Sequence, residues 1–169
     1  VYKYPQTRKK AMKAKKVNLK FFPEGGNLVK GVPSQVAFEA TDAYGNPITL
    51  FGRIINRRKE EIGHFATIHE GRGVFTYIPT GEDADKAEVE LGGKKYRFDL
   101  PEVCSQGYVL HVDNLTSEDS IAVSVQKNTY TPSNLLGLAV IAHGKLLNSC
   151  LLNVGKNTPV SFKLDKSEW

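Results

Sequence analysis

Cysteine and tryptophan are almost missing from this chain: two cysteines, Cys104 and Cys150, and a single tryptophan, Trp169, stand among 169 residues. Neither cysteine lies in a CxxC pair or near a histidine at metal-ligand spacing, which excludes a disulfide-dense scaffold and a cysteine-rich zinc site. The two could bridge to each other outside the cytoplasm, or stay as two buried thiols in apolar strands. Long apolar runs are missing too. A membrane helix needs roughly 18 or more apolar residues, and the longest run here, 135–142, is interrupted by Gly137. The basic N-terminus is not followed by the apolar stretch of a signal peptide. Helical periodicity is absent over any length, and no HExxH, GxSxG, P-loop or GxGxxG motif occurs. These absences exclude the familiar hydrolase, nucleotide-binding and dinucleotide-binding chemistries. The sequence reads as a piece of something longer.

Charge is unevenly spread. The formal net charge is +5. Eight basic residues (Lys3, Arg8, Lys9, Lys10, Lys13, Lys15, Lys16 and Lys20) fall within residues 1–20, where no acidic residue occurs. The rest of the chain is slightly acidic. Residues 1–16 therefore read as a basic flexible arm or linker. Aromatic residues are not interleaved with the lysines as nucleic-acid stacking would require, so no nucleic-acid partner is expected.

What is present is a succession of short strands and turns. Residues 35–41 alternate, with Val36, Phe38 and Ala40 on one side and Gln35, Glu39 and Thr41 on the other, the period-two mark of a strand with one buried face. Further strands are expected at 17–22, 27–30, 50–56, 62–69, 74–78, 87–91 and 95–100. Gly92-Gly93 between the last two is a hairpin signal. Seven to eight strands spaced in this way fit an immunoglobulin-like sandwich. After a boundary at Pro101-Glu102-Val103 the pattern restarts, with strands at 108–112, 121–126, 135–143, 146–154 and 159–164. The expectation is an all-β chain: an arm at 1–16, a sandwich at 17–101 and a second, truncated sandwich at 104–169.

Candidate chemistry is thin. His64 and His69, five residues apart in one regular strand, would point to opposite faces and could not share a metal. His111 and His143 stand alone. Glu24-Gly25-Gly26 and Gly71-Arg72-Gly73 precede no helix, so they read as turns rather than phosphate cradles. Glu82-Asp83-Ala84-Asp85 could hold Ca²⁺ but reads more simply as a solvated loop. Asn114-Leu115-Thr116 fits a glycosylation sequon. Tyr44, Tyr77, Tyr96 and Tyr130 could form an aromatic strip for a glycan. We assign no catalytic, cofactor-binding or metal-ligating residue, and no cofactor.

The stretch Phe21-Phe22-Pro23-Glu24-Gly25-Gly26-Asn27-Leu28-Val29 resembles the FFPEGG-x-LV signature of macroglobulin-like domains. Residues 36–47, 67–75 and Ile78-Pro79 follow in the matching order. The resemblance is greatest to the β-sandwich modules of α2-macroglobulin-like proteins in large Bacteroidetes cell-envelope proteins, some of them upstream of TonB-dependent receptor domains. It covers 17–101 well and 104–169 weakly. It implies a non-catalytic structural or protein-interaction module of a larger envelope protein, located in the periplasm or at the outer membrane. The partners it implies are proteins or neighbouring domains, with no direct membrane insertion. A carbohydrate-binding sandwich and a fragment of a protease-trapping inhibitor are the alternatives. The CGEQ thioester motif of trapping members is absent: Cys104 is followed by Ser105-Gln106-Gly107 and Cys150 by Leu151-Leu152-Asn153.

Overall fold

The computed structural model describes residues 17–81, 85–155 and 159–168. The arm at 1–16, residues 82–84 of the carboxylate cluster, and Trp169 lie outside them. Fourteen strands and a closing 3₁₀ turn (Lys166–Glu168) make up the described elements, so the chain is all-β as expected. Among the described residues, no helix is long and apolar enough to cross a membrane.

The first unit is a sandwich of two sheets. One contains β1 (Asn18–Pro23), β3 (Ser34–Thr41) and β6 (Arg72–Tyr77) in the order β1-β3-β6. The other runs β5-β4-β7-β8, from β4 (Phe51–Ile55), β5 (Glu61–Ala66), β7 (Lys86–Leu91) and β8 (Lys94–Asp99). All pairs in both sheets are antiparallel. At the turn of the β7–β8 hairpin, Gly92 and Gly93 both take positive φ (59° and 74°). A two-residue turn of that hand matches the twist of its strands.

The core lies between the sheets and is held by aromatic packing. Phe38 and Phe75 come from one sheet and Phe65 from the other, with Phe21 packed alongside. Phe65 touches all three, with ring centroids 4.9 Å from Phe38, 5.3 Å from Phe75 and 6.2 Å from Phe21. Edge-on and tilted contacts of this kind suit the ring quadrupoles. The Phe65 ring has room because its cross-strand neighbour is Gly52. A Cβ there would stand 2.3 Å from the ring.

The outer face of the second sheet is charged and self-neutralising. Glu88 on β7 lies in register between Arg53 on β4 and Arg97 on β8. Its carboxylate accepts from Arg53 Nη2 at 2.6 Å and Arg97 Nε at 2.9 Å, with Lys95 Nζ at 3.9 Å. The cations cover Glu88 so well that its side chain is only 4% exposed. Hydrogen bonds from Arg53 and then Arg97 outweigh the cost of burial and hold its pKa below the ordinary 4.5. A depressed carboxylate pKa contributes stability that is complete above the unfolded value and lost as pH falls through the folded one. In an acid titration of unfolding, Glu88→Gln is therefore expected to be less stable than the parent near neutrality. It should also lack part of the parent's loss of stability below about pH 4.5.

The second unit holds a three-stranded antiparallel sheet, β10-β11-β14, from β10 (Tyr108–Asp113), β11 (Ser120–Lys127) and β14 (Val160–Asp165). A separate hairpin pairs β12 (Leu135–Ala142) with β13 (Lys145–Asn153). Ile121, Val123 and Val125 form the buried face of β11, opposite Leu164, Phe162 and Val160. Lys127 ends that face fully buried, its ammonium donating to Thr131 O, Ser133 O and Asn134 Oδ1 at 2.8, 2.8 and 2.6 Å. Three acceptors are what a desolvated ammonium needs.

Candidate functional site at the junction of the two β-units

Sequence patterning marks no site, but the tertiary structure gathers one set of interlocking contacts, where the two units meet. Next to Pro101-Glu102-Val103, read from the sequence as a boundary, lies the short strand β9 (Val103–Cys104). It pairs in parallel with β2 (Leu28–Val29), and the Lys30 amide donates to Cys104 O at 2.9 Å. Around this ladder Val29, Val32 and Val109 form a small apolar core of their own, with Cys104 against it.

Asn128 sits beside this core, 3% exposed. Its amide donates to Lys30 O at 3.1 Å and to Ser105 O at 2.8 Å, tying the first unit to the connecting segment. Its Oδ1 lies 2.7 Å from the Thr131 hydroxyl, which accepts from the Gly107 amide at 2.7 Å. An Asn side chain offers two donors and an acceptor, and here each is used. Just outside, the Lys30 ammonium lies 5.8 Å from the centroid of the Tyr130 ring, a cation–π contact.

The turn after β1 supplies the third set of contacts. Glu24 Oε1 accepts from the Val112 amide at 2.7 Å and Oε2 from His111 Nδ1 at 2.6 Å. A carboxylate can only accept here, so Nδ1 of His111 carries the proton. Gly25, at φ 76°, lies against β10 so closely that a Cβ would stand 3.1 Å from the Leu110 backbone. The Glu24-Gly25-Gly26 turn thus does more than reverse the chain. Its carboxylate and its bare backbone dock on the second unit. The sequence reading missed Glu24 as a contact residue; an acidic side chain inside an otherwise apolar, glycine-rich turn was the only local signal.

No protein-family model matches the chain, and no curated protein matches it. Among solved structures, the native conformation of alpha-2-macroglobulin from E. coli is similar over 87% of this chain, at 12% identity and a TM-score of 0.35. This chain spans 12% of the length of that protein.

A histidine whose Nδ1 meets a carboxylate is half of an acid–base relay. Among the described residues, however, no serine, threonine or cysteine is hydrogen-bonded to the other His111 nitrogen. The other candidates are scattered. His64 stacks on Phe51 at 6.0 Å. His69 lies beyond the end of β5, in the turn before β6, 3.8 Å from Glu70. The expectation that His64 and His69 share one regular strand is therefore corrected: β5 stops at Ala66, and the backbone turns back through a bridge between His69 and Arg72. His143 occupies the β12–β13 turn at φ 50°. Among the described residues no three His, Cys, Asp or Glu side chains cluster as a metal site.

Asp85, the described member of the carboxylate cluster, accepts from the Tyr77 hydroxyl at 2.6 Å. Burial first, then that hydrogen bond, push the Tyr77 hydroxyl well above its ordinary pKa of 10. Tyr77 is buried and Tyr96 packs on the same core, whereas Tyr44 and Tyr130 are exposed. The four tyrosines form no common strip. Asn114-Leu115-Thr116 lies in an exposed turn pinned by Asp113 Oδ1, which accepts from the Leu115 and Thr116 amides at 3.0 Å each. Both cysteines are free; Cys104 is half-buried and Cys150 exposed, so two buried thiols are not what the fold provides.

Proposed function

We propose that this chain is a non-catalytic structural and protein-interaction module of a larger cell-envelope protein, in which two β-units form one stiff segment. The observation that carries this reading is the junction. A parallel ladder, a private apolar core, a saturated Asn128 and the Glu24 contacts are all spent on fixing one unit against the other. A linker between independently moving domains would need none of them. The macroglobulin-like signature at 21–29 supports the same reading, because its Glu24-Gly25 step is the part that docks. An extracytoplasmic location, in the periplasm or at the outer membrane, belongs to the proposal and rests on that signature. The partners are neighbouring domains of the parent chain or separate proteins.

Two measurements test it. NMR relaxation should give both units a single common tumbling time, and Gly25→Val, which drives a side chain into the Leu110 backbone, should split it. Independent tumbling in the parent protein would remove the stiff-segment reading. Fractionation of the native host, followed by cross-linking, should recover the protein in the envelope with protein partners. Recovery from cytosol alone, without partners, would remove the envelope reading.

A further inference from the structure

Edges of β-sheets expose unpaired amides and carbonyls, and natural proteins guard them with charged side chains, bulges or very short strands. Most edges here are guarded. Lys20 stands on β1, Arg72 on β6, Glu61 on β5, Lys94, Lys95, Arg97 and Asp99 on β8, Asp113 on β10, and Lys163 and Asp165 on β14. β2 and β9 are two residues long. In the β12–β13 hairpin, β13 begins at Lys145 and carries a bulge, because Leu147 has no partner between the pairs Val140↔Asn148 and Ile141↔Leu146. β12 has none of these devices. Its eight residues, Leu-Leu-Gly-Leu-Ala-Val-Ile-Ala, are uncharged, rich in strand formers, and paired on one side only among the described residues. Leu135 and Ile141 are more than half exposed.

We propose that the free edge of β12 pairs with β12 of a second copy of this chain, antiparallel and about a twofold axis. Charge selects the occupant: an edge without charge offers nothing to attract a charged strand and nothing to repel a copy of itself, whereas the other long edges would set like charges together. Size selects the register. A twofold perpendicular to the sheet keeps each face on its own side, so the axis must pass through one residue paired with itself. Centred on Ala139, it sets Gly137 opposite Ile141 and Leu136 opposite Ala142, small against large, with Leu138 opposite Val140. The product is a continuous four-stranded sheet, β13-β12-β12-β13. A lone two-stranded hairpin is marginal in water, and two added strands bring it to a more usual size. This inference does not rest on the junction or on the envelope reading.

The test uses the full chain with Cys104 and Cys150 replaced by serine. Sedimentation should show a concentration-dependent dimer. Ala139→Cys should form an intermolecular disulfide on mild oxidation, because self-paired residues across antiparallel strands have Cα atoms within disulfide range. Ser149→Cys, the intramolecular partner of Ala139 in register, lies on β13 away from the axis and should not. Ala139→Lys, at an exposed position, should leave the circular dichroism spectrum unchanged and abolish the dimer. A parent chain that stays monomeric at all concentrations, equal cross-linking at 139 and 149, or a dimer that survives Ala139→Lys would each overturn the proposal.

Discussion

Replacing Phe65 with alanine is expected to lower the unfolding free energy by about 3–5 kcal/mol, the range for a large aromatic deleted from a core that cannot collapse. The reason is its position. Phe65 is 2% exposed and is the one ring of the β5-β4-β7-β8 sheet that meets all three phenylalanines of the facing sheet. Its loss leaves Phe38, Phe75 and Phe21 without a common neighbour. Urea unfolding should show a lower midpoint with an unchanged slope. A double-mutant cycle sharpens the expectation. Gly52→Ala alone should destabilise, because its Cβ would stand 2.3 Å from the Phe65 ring. In the Phe65→Ala background that Cβ enters the cavity, and the penalty should vanish or change sign. Equal penalties in both backgrounds would show that the Phe65 ring does not lie over Gly52.

The second large effect belongs to the junction. Asn128→Ala removes both hydrogen bonds to the half-buried Lys30 and Ser105 carbonyls and one of the two acceptors of the Thr131 hydroxyl, leaving it Gly107 O at 3.0 Å. A stranded polar group costs about 1–3 kcal/mol when water cannot reach it, and water reaches these half-buried carbonyls in part, so a loss of about 1–3 kcal/mol in all is expected. Hydrogen exchange gives the specific readout. The Lys30 amide, which donates to Cys104 O, should lose protection, while amides in β3 keep theirs, since local opening and global unfolding protect different sets. Asn128→Asp should be at least as damaging, because it turns an acceptor toward two carbonyl oxygens. A uniform fall in protection across both units would mean that Asn128 supports the whole fold rather than the junction.

Legibility in the sequence tracks the range of the interaction. Strand positions were readable almost to the residue: 35–41 is observed as Ser34–Thr41, 87–91 as Lys86–Leu91, and 108–112 as Tyr108–Asp113. Alternation and turn residues report local backbone preferences, which the chain carries with it wherever it folds. Alternation also separates the two faces of a strand, but it does not say which one is inside. In β5 the face carrying His64 and Ala66 points outward, Ile62 is the extra residue of a bulge and is exposed, and the buried residue is the lone Phe65. A bulky ring beside glycine outweighs several smaller apolar groups, and that choice needs the facing sheet.

The junction was the least legible part. Glu24 and His111 lie 87 residues apart, and Asn128 lies 98 residues from Lys30. Nothing in the spacing of an isolated Glu, His or Asn foretells such a contact. The two-residue strand Val103–Cys104 is too short to show a period, so it straddles the boundary read at 101–103 without being recognised, although it carries the ladder to β2. By itself, then, the sequence determined the all-β character, the order of the strands and the scarcity of reactive groups, because these follow from local sterics and composition. Only the tertiary structure decided which faces are buried, that the Glu24-Gly25-Gly26 turn is a docking element, and that β12 is paired on one side only among the described residues. Each of these depends on which distant surfaces meet, and a polar group or a strand edge acquires its role only from the partner placed against it.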